Sequence, residues 1–237
     1  VKGADMAGFT VTLACADPLC LGDDIEAARR GGAAGVHIDV MDGRYVPNLC
    51  MSFAQAGAIK ESYPSLEMDI HMMVADPFCW VEELVRLQPQ RVAVHLDSTP
   101  FTYRFLERMK AAGISPGVAW NPSQPLELLF PLARRIEYVL LMAVEPGFSG
   151  QSMLQETYQR IAALDAWRRR EGLGFRIMVD GGVDLENGSL CVKAGADILV
   201  GGAFVCFGQE GGVEAACRRL AKTLFCAESS LGRDGMD

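Results

Sequence analysis

The sequence predicts an α/β chain closed into a single (β/α)8 (TIM) barrel, and three observations carry that expectation. Eight short β-branched or apolar runs alternate with eight longer amphipathic segments, the pattern of a parallel sheet with helical crossovers. The 237 residues suit one such barrel, which needs about 200 to 250. An open doubly wound sheet would usually carry G-x-G-x-x-G after its first strand, and Ala14-Cys15-Ala16-Asp17 has no such glycines.

In chain order, Phe9–Ala14 is the first strand and Asp23–Arg30 the helix after it, stopped by Gly31-Gly32. Gly35–Val40 and Glu67–Ile70 are the next strands, with the helix Ser52–Ser62 between them. Asp76-Pro77 opens the helix Pro77–Leu87. The strand Arg91–Leu96 precedes the helix Phe101–Ala112, which Gly113 ends. The strands Ser115–Ala119, Tyr138–Met142, Phe175–Val179 and Asp197–Val200 follow, with helices Pro125–Ala133, Glu156–Glu171, Leu185–Ala194 and Val213–Cys226. No linker or low-complexity run divides the chain, so 1–237 is expected to be one catalytic barrel domain. Within it, 1–8 is expected to be a leader and 227–237, polar and Gly-containing, a frayed tail.

Apolar residues make up 50% and charged residues 22%, enough for a sizeable core under a solvated surface. The net charge of −8 argues against nucleic acid or an anionic membrane as partner, yet leaves room for a small anion held by local donors. No apolar run approaches the roughly 20 residues that span a bilayer, and Val1–Gly8 has no hydrophobic signal core. A cytoplasmic protein is the expectation. None of the eight cysteines forms a C-x-x-C pair and several fall in apolar or helical stretches, which favours reduced thiols packed as small hydrophobes.

In a barrel of this kind, the C-terminal ends of the strands face the active site. His37 and Asp39 are two apart on one strand and so share its inner face, while His71 and Asp180 reach the same mouth from other strands. Two imidazoles and two carboxylates suit a divalent ion, zinc first, with iron, manganese or cobalt also compatible. A lone strand-end histidine is more often structural, and His95 fits that reading. The other two histidines beside carboxylates fit it less well. The segment Glu145–Gln151, with Gly147 and Gly150, then Gly181-Gly182 and Gly201-Gly202-Ala203, offers backbone N–H groups to an anion on the final βα loops.

His37-Ile38-Asp39-Val40-Met41-Asp42-Gly43 with Val46-Pro47-Asn48, Asp69-Ile70-His71-Met72-Met73, Pro146–Gln151 and Val179–Val183 together resemble the ribulose-phosphate 3-epimerase family. The matching stretch runs from Thr12 to Phe204. The resemblance implies a (β/α)8 barrel of the ribulose-phosphate-binding type that epimerises D-ribulose 5-phosphate and D-xylulose 5-phosphate. It implies one divalent metal held by His37, Asp39, His71 and Asp180, with Asp39 and Asp180 as the acid/base pair. It places Thr12 and His71 against substrate and assigns the phosphate side to Gly147, Phe148, Ser149, Gly150, Gly181, Gly182, Gly202 and Ala203. Met41, Met73 and Met142 match methionines that crowd the reacting carbons, although each taken singly reads equally well as core filler. The expected partner is a small phosphorylated ketose, with self-association into a homo-oligomer and neither nucleic acid nor membrane.

The sequence departs from that family's pattern in Cys15, Arg44 and Ala203, where Ser, His and Ser are usual. These changes bear on the substrate and leave the metal and acid/base positions intact. Cys15 and the stretch Ala166–Leu173 resemble the D-allulose-6-phosphate 3-epimerase branch, which performs the same chemistry on a six-carbon sugar. A non-catalytic phosphosugar-binding barrel is the remaining alternative, and it would be expected to have lost Asp39 or Asp180. Decarboxylases on related barrels use Asp-x-Lys-x-x-Asp, and Asp39-Val40-Met41-Asp42 has no lysine.

Overall fold

The computed structural model describes residues 7–231. Eight parallel strands pair in chain order and the eighth returns to the first, closing the barrel. They are β1 (Gly8–Thr12), β2 (Gly35–Met41), β3 (Glu67–Met73), β4 (Arg91–His95), β5 (Ser115–Trp120), β6 (Tyr138–Met142), β7 (Arg176–Asp180) and β8 (Ile198–Gly201). The helices are α1 (Leu21–Arg30), α2 (Phe53–Ser62), α3 (Val81–Leu87), α4 (Thr102–Ala111), α5 (Thr157–Arg170), α6 (Leu185–Ala194) and α7 (Gly212–Leu231).

The fold matches the expected class and differs from several expected elements. The first strand stops at Thr12, and Leu13–Cys15, expected to begin within it, is a 3₁₀ turn. Where a helix was expected over Pro125–Ala133, a 3₁₀ segment covers Leu126–Leu132. Pro131 lies inside it, and a proline there can neither donate its backbone hydrogen bond nor avoid the carbonyl four residues back. The expected helix Pro77–Leu87 is a 3₁₀ turn, Pro77–Trp80, capped by Asp76 accepting from the Phe78 N–H, followed by α3. Helix α7 continues to Leu231, past the start of the expected frayed tail, because Ala227 is buried and the Glu228 carboxylate accepts the Ala7 N–H at 3.1 Å. Gly8, placed in the expected leader, begins β1 and pairs with Ile198 of β8. The rest of the expected leader and tail, residues 1–6 and 232–237, lies outside the described residues.

Two apolar layers hold the barrel. Outside the sheet, the larger core packs helix residues such as Ile25, Leu84, Phe105 and Ile161 on outward strand residues such as Val36, Ile70 and Val139. Inside, Ala93, Ala119, Tyr138, Leu140, Met178 and Ile198 fill the lower interior, the usual packed centre of such a barrel. Gly117 makes room for Tyr138, since a Cβ there would fall 2.3 Å from the tyrosine ring. These side chains fill the interior beneath the strands' C-terminal ends. Arg160 of α5 sets that rim, donating to the carbonyls of Met142 at 2.6 Å and Asn121 at 2.8 Å and stacking 4.1 Å over the Trp120 ring.

Candidate active site

The parallel register of β2 and β3 puts His37 beside Asp69, Asp39 beside His71 and Met41 beside Met73. Alternation along each strand turns these side chains inward together. Asp180 ends β7 next to Met142 of β6. His37, Asp39, His71 and Asp180 each bring a ligand atom within 4.8 Å of the others. His37, Asp39 and His71 are buried and Asp180 is nearly so.

His37, Asp39 and His71 are each held by a neighbour. His37 Nδ1–H donates to Asp69, itself buried, and His37 Nε2 points toward Asp39 Oδ1 at 3.4 Å and Asp180 Oδ2 at 3.8 Å. His71 Nδ1 lies 3.1 Å from Asp39 Oδ1 and 3.6 Å from Asp180 Oδ2, while its Nε2 is 2.8 Å from His95 Nε2. Thr12 Oγ1 at the end of β1 donates to Asp39 Oδ2 at 2.5 Å. Burial opposes charging of His37, but Asp69 and Asp39 outweigh it and raise its pKa well above the ordinary value. Burial likewise opposes ionisation of Asp39, and here His37 and His71 prevail and hold it below the usual carboxylate range. Asp180 goes the other way: burial, reinforced by the Asp39 charge, raises it. The two carboxylates thus differ in proton affinity although they share one cavity.

Above the cluster lies a concave cavity, about 590 Å³ when its open mouth is included. Its walls include all the anticipated substrate and packing positions: Thr12, Asp39, Met41, His71, Met73, Met142, Gly147, Phe148, Ser149, Gly150, Asp180, Gly181, Gly182, Gly202 and Ala203. Only His37 among the anticipated residues is not in the wall; it sits below the floor, fully buried. Among the described residues, no lysine or arginine lines the cavity. Gly181 and Gly182 have φ of +114° and +65°, and a Cβ on Gly182 would fall 2.5 Å from Met153 N. Glycine is therefore required there twice over, by torsion and by space. Gln151 braces the β6 loop by donating to the carbonyls of Glu145 and Phe148 at 2.7 and 2.8 Å.

The sequence reading passed over Asp69, although its i, i+2 spacing with His71 repeats that of His37 and Asp39 and was the available signal. It took His95 as structural, whereas the ring contacts a cluster histidine. Burial, reinforced by His71, pushes the His95 pKa well below the ordinary imidazole value. Cys15, noted only as a departure, lines the cavity, where burial raises its thiol pKa against hydrogen bonds from the Ala203 backbone and Ser149. All eight cysteines are free thiols.

Against known proteins, residues 9–206 match the model of the ribulose-phosphate 3 epimerase family. A ribulose-phosphate 3-epimerase of Aquifex aeolicus is 34% identical over 210 residues, covering 89% of this chain and 93% of its own. One from Bacillus subtilis is 33% identical over 195 residues, covering 82% and 89%. Among solved structures, a 3-keto-L-gulonate-6-phosphate decarboxylase from Vibrio cholerae superposes with a TM-score of 0.71 over 94% of this chain and 99% of its own. At 9% identity that likeness concerns the barrel alone. The match over residues 9–206, with relatives at a third identity along most of their length, makes this chain a member of the ribulose-phosphate 3-epimerase family.

Proposed function

We propose that this chain, an isomerase of sugar phosphates by its family membership, interconverts D-ribulose 5-phosphate and D-xylulose 5-phosphate in a divalent-metal-dependent reaction at C3. The observation that carries this reading is the convergence of Asp39 and Asp180 with two imidazoles on the floor of one cavity.

Epimerising a carbon beside a ketone means removing its proton on one face and returning a proton on the other. Two carboxylates do this without a change of roles by any third group: one accepts the C3 proton while the other donates, and they exchange duties in the reverse direction. Their surroundings displace the two proton affinities in opposite directions, Asp39 downward and Asp180 upward. Thr12 fixes Asp39 by its hydrogen bond. The methionines Met41, Met73 and Met142 flank the site and keep water from the carbanionic carbon. With no lysine or arginine in the wall, the phosphate would rest on the backbone N–H groups of residues 147–150, 181–182 and 202–203.

The four donors fit a metal by a test internal to the fold. His37 Nε2 is buried with no hydrogen-bond partner and faces two carboxylates. A buried nitrogen left in that state is costly unless something accepts its lone pair. His37, Asp39, His71 and Asp180 would hold the ion, and their N and O atoms suit Zn2+, with Fe2+, Mn2+ and Co2+ also accommodated. A divalent ion there supplies a positive charge against the negative charge that develops on the ketose oxygens.

The curated relatives named above support the five-carbon substrate over D-allulose 6-phosphate. The test is kcat/KM for both ketose phosphates with the same metal and salt. A clear advantage for D-ribulose 5-phosphate is expected, and an advantage for the six-carbon sugar would reverse the assignment. The absence of turnover on both by metal-loaded protein would leave the phosphosugar-binding reading. Among the described residues no helix is long and apolar enough to cross a membrane.

A further inference from the structure

We propose that Asp97, Tyr45, Asn121 and His95 form a one-way hydrogen-bond chain that sets the tautomer of His71 and aims its Nδ1 lone pair at the metal cluster. The proposal rests on the metal-binding reading above and extends it to four residues with no assigned role.

The direction of the chain follows from its outer end. A carboxylate at neutral pH only accepts hydrogen bonds. Tyr45 Oη therefore donates to Asp97 Oδ1, at 2.7 Å. Having spent its proton, the phenol oxygen accepts, and Asn121 Nδ2 donates to it at 3.0 Å. That contact fixes which end of the Asn121 amide is nitrogen and leaves Oδ1 on the other side. Asn121 Oδ1 and His95 Nδ1 are both buried and neither has a hydrogen-bond partner in the structure, while the Asn121 side chain is close enough to act on the His95 ring. Pairing them with each other as acceptor and donor satisfies both, and it places the His95 proton on Nδ1. His95 Nε2 is then an acceptor and takes the His71 Nε2 proton across 2.8 Å. His71 is left with a bare Nδ1, the atom that faces Asp39 and Asp180. The Tyr45 ring packs on the His95 ring, with centroids 4.6 Å apart and planes tilted by 34°.

The barrel supplies this chain from four separate segments. His71 ends on β3, His95 closes β4, Asn121 follows β5, and Tyr45 comes from the loop after β2. On the opposite side, Asp69 does the equivalent task for His37 in one step, accepting the Nδ1–H and turning Nε2, which has no hydrogen-bond partner, toward the cluster. A ligand histidine is usually oriented in this way by a partner on its other nitrogen. His95 and Asn121 are thus positioning residues, acting on the site through His71.

The test measures Zn2+ affinity by competition with a chromogenic chelator in wild type, His95→Leu, His95→Gln and Tyr45→Phe. In parallel, 15N NMR of zinc-loaded wild type locates the ring proton of His95. His95→Leu should bind Zn2+ about 10- to 100-fold more weakly, the usual effect of removing a ligand's outer partner. His95→Gln, whose carbonyl can accept the His71 proton, should recover most of that loss, and Tyr45→Phe should fall between wild type and His95→Leu. A proton on His95 Nδ1 is expected. A proton on Nε2, or unchanged Zn2+ affinity in folded His95→Leu, overturns the relay while leaving the metal site standing. If His95→Leu fails to fold, the NMR assignment and Tyr45→Phe decide. Wild type that binds no divalent ion sinks the metal reading itself.

Discussion

Replacing Asp180 by asparagine separates the carboxylate's chemical duty from its structural cost. Positioned acid or base catalysis contributes about 10²–10⁴ in rate, or roughly 2.7–5.5 kcal/mol of barrier. Asp180→Asn should lose at least that much turnover, in either direction of the reaction. Asp39→Asn should do the same. Stability should move the other way. Burial and the Asp39 charge raise the Asp180 pKa in the fold, so ionising it there costs energy that ionising it in the unfolded chain does not. Between the unfolded value, near 3.8, and the raised folded value, the native state binds more protons than the unfolded one, and stability falls as pH rises. The amide has no such penalty. Metal-free Asp180→Asn should therefore match wild type near pH 3.8 and gain on it at higher pH. Exchange in deuterated water adds a stereochemical check, because the surviving Asp39 can still strip the C3 proton on its own face. The variant should label one epimer at C3 without inverting it, with metal occupancy verified by elemental analysis. Turnover within tenfold of wild type, or equal labelling of both epimers, would refute the two-carboxylate reasoning.

Removing divalent ions with a chelator should abolish activity and adding one back should restore it; full turnover by rigorously metal-free protein would contradict the His37, Asp39, His71, Asp180 assignment. Thr12→Val keeps the shape but deletes the 2.5 Å hydrogen bond to Asp39; a bond to a charged group is worth about 1.5–3 kcal/mol, so thermal unfolding should show about that loss, and kcat should drop as Asp39 loses its orientation. Gly182→Ala forces a Cβ within 2.5 Å of Met153 N at a φ of +65°; thermal unfolding should show about 1–3 kcal/mol lost, and KM should rise as the phosphate-side backbone shifts. An unchanged KM in folded Gly182→Ala would place the phosphate elsewhere.

Much of the site was legible because two simple periodicities govern a barrel. Alternation along a strand puts His37 with Asp39 on one face, and closure of eight βα units brings every strand's C-terminal end to one mouth. Those rules, applied to strand ends alone, collect His37, Asp39, His71 and Asp180 without reference to contacts. The glycines of the last three βα loops were legible for a different reason: torsion and space exclude other residues at Gly181 and Gly182, so the requirement is written in the residue type itself.

What the sequence could not state is which side chains meet across strands. The β2–β3 register decides that Asp69 lies behind His37 and that Asp39 lies against His71, and register is set by packing along the whole strand pair. His95 looked structural in isolation and became a neighbour of the cluster only when β4 placed its imidazole 2.8 Å from that of His71. Tyr45, Asp97 and Asn121 are distant in the chain and meet only because loops from β2, β4 and β5 crowd one arc of the rim. The periodicity over Pro125–Ala133 suggested a helix, but Pro131 withholds a hydrogen bond and leaves a 3₁₀ segment. The end of α7 was likewise decided by burial of Ala227, a contact that a polar tail sequence does not reveal. The sequence by itself therefore determined the barrel and the four polar side chains at its mouth, since both follow from local spacing. Only the tertiary structure determined what holds those side chains in place, since hydrogen bonds between strands depend on register and closure.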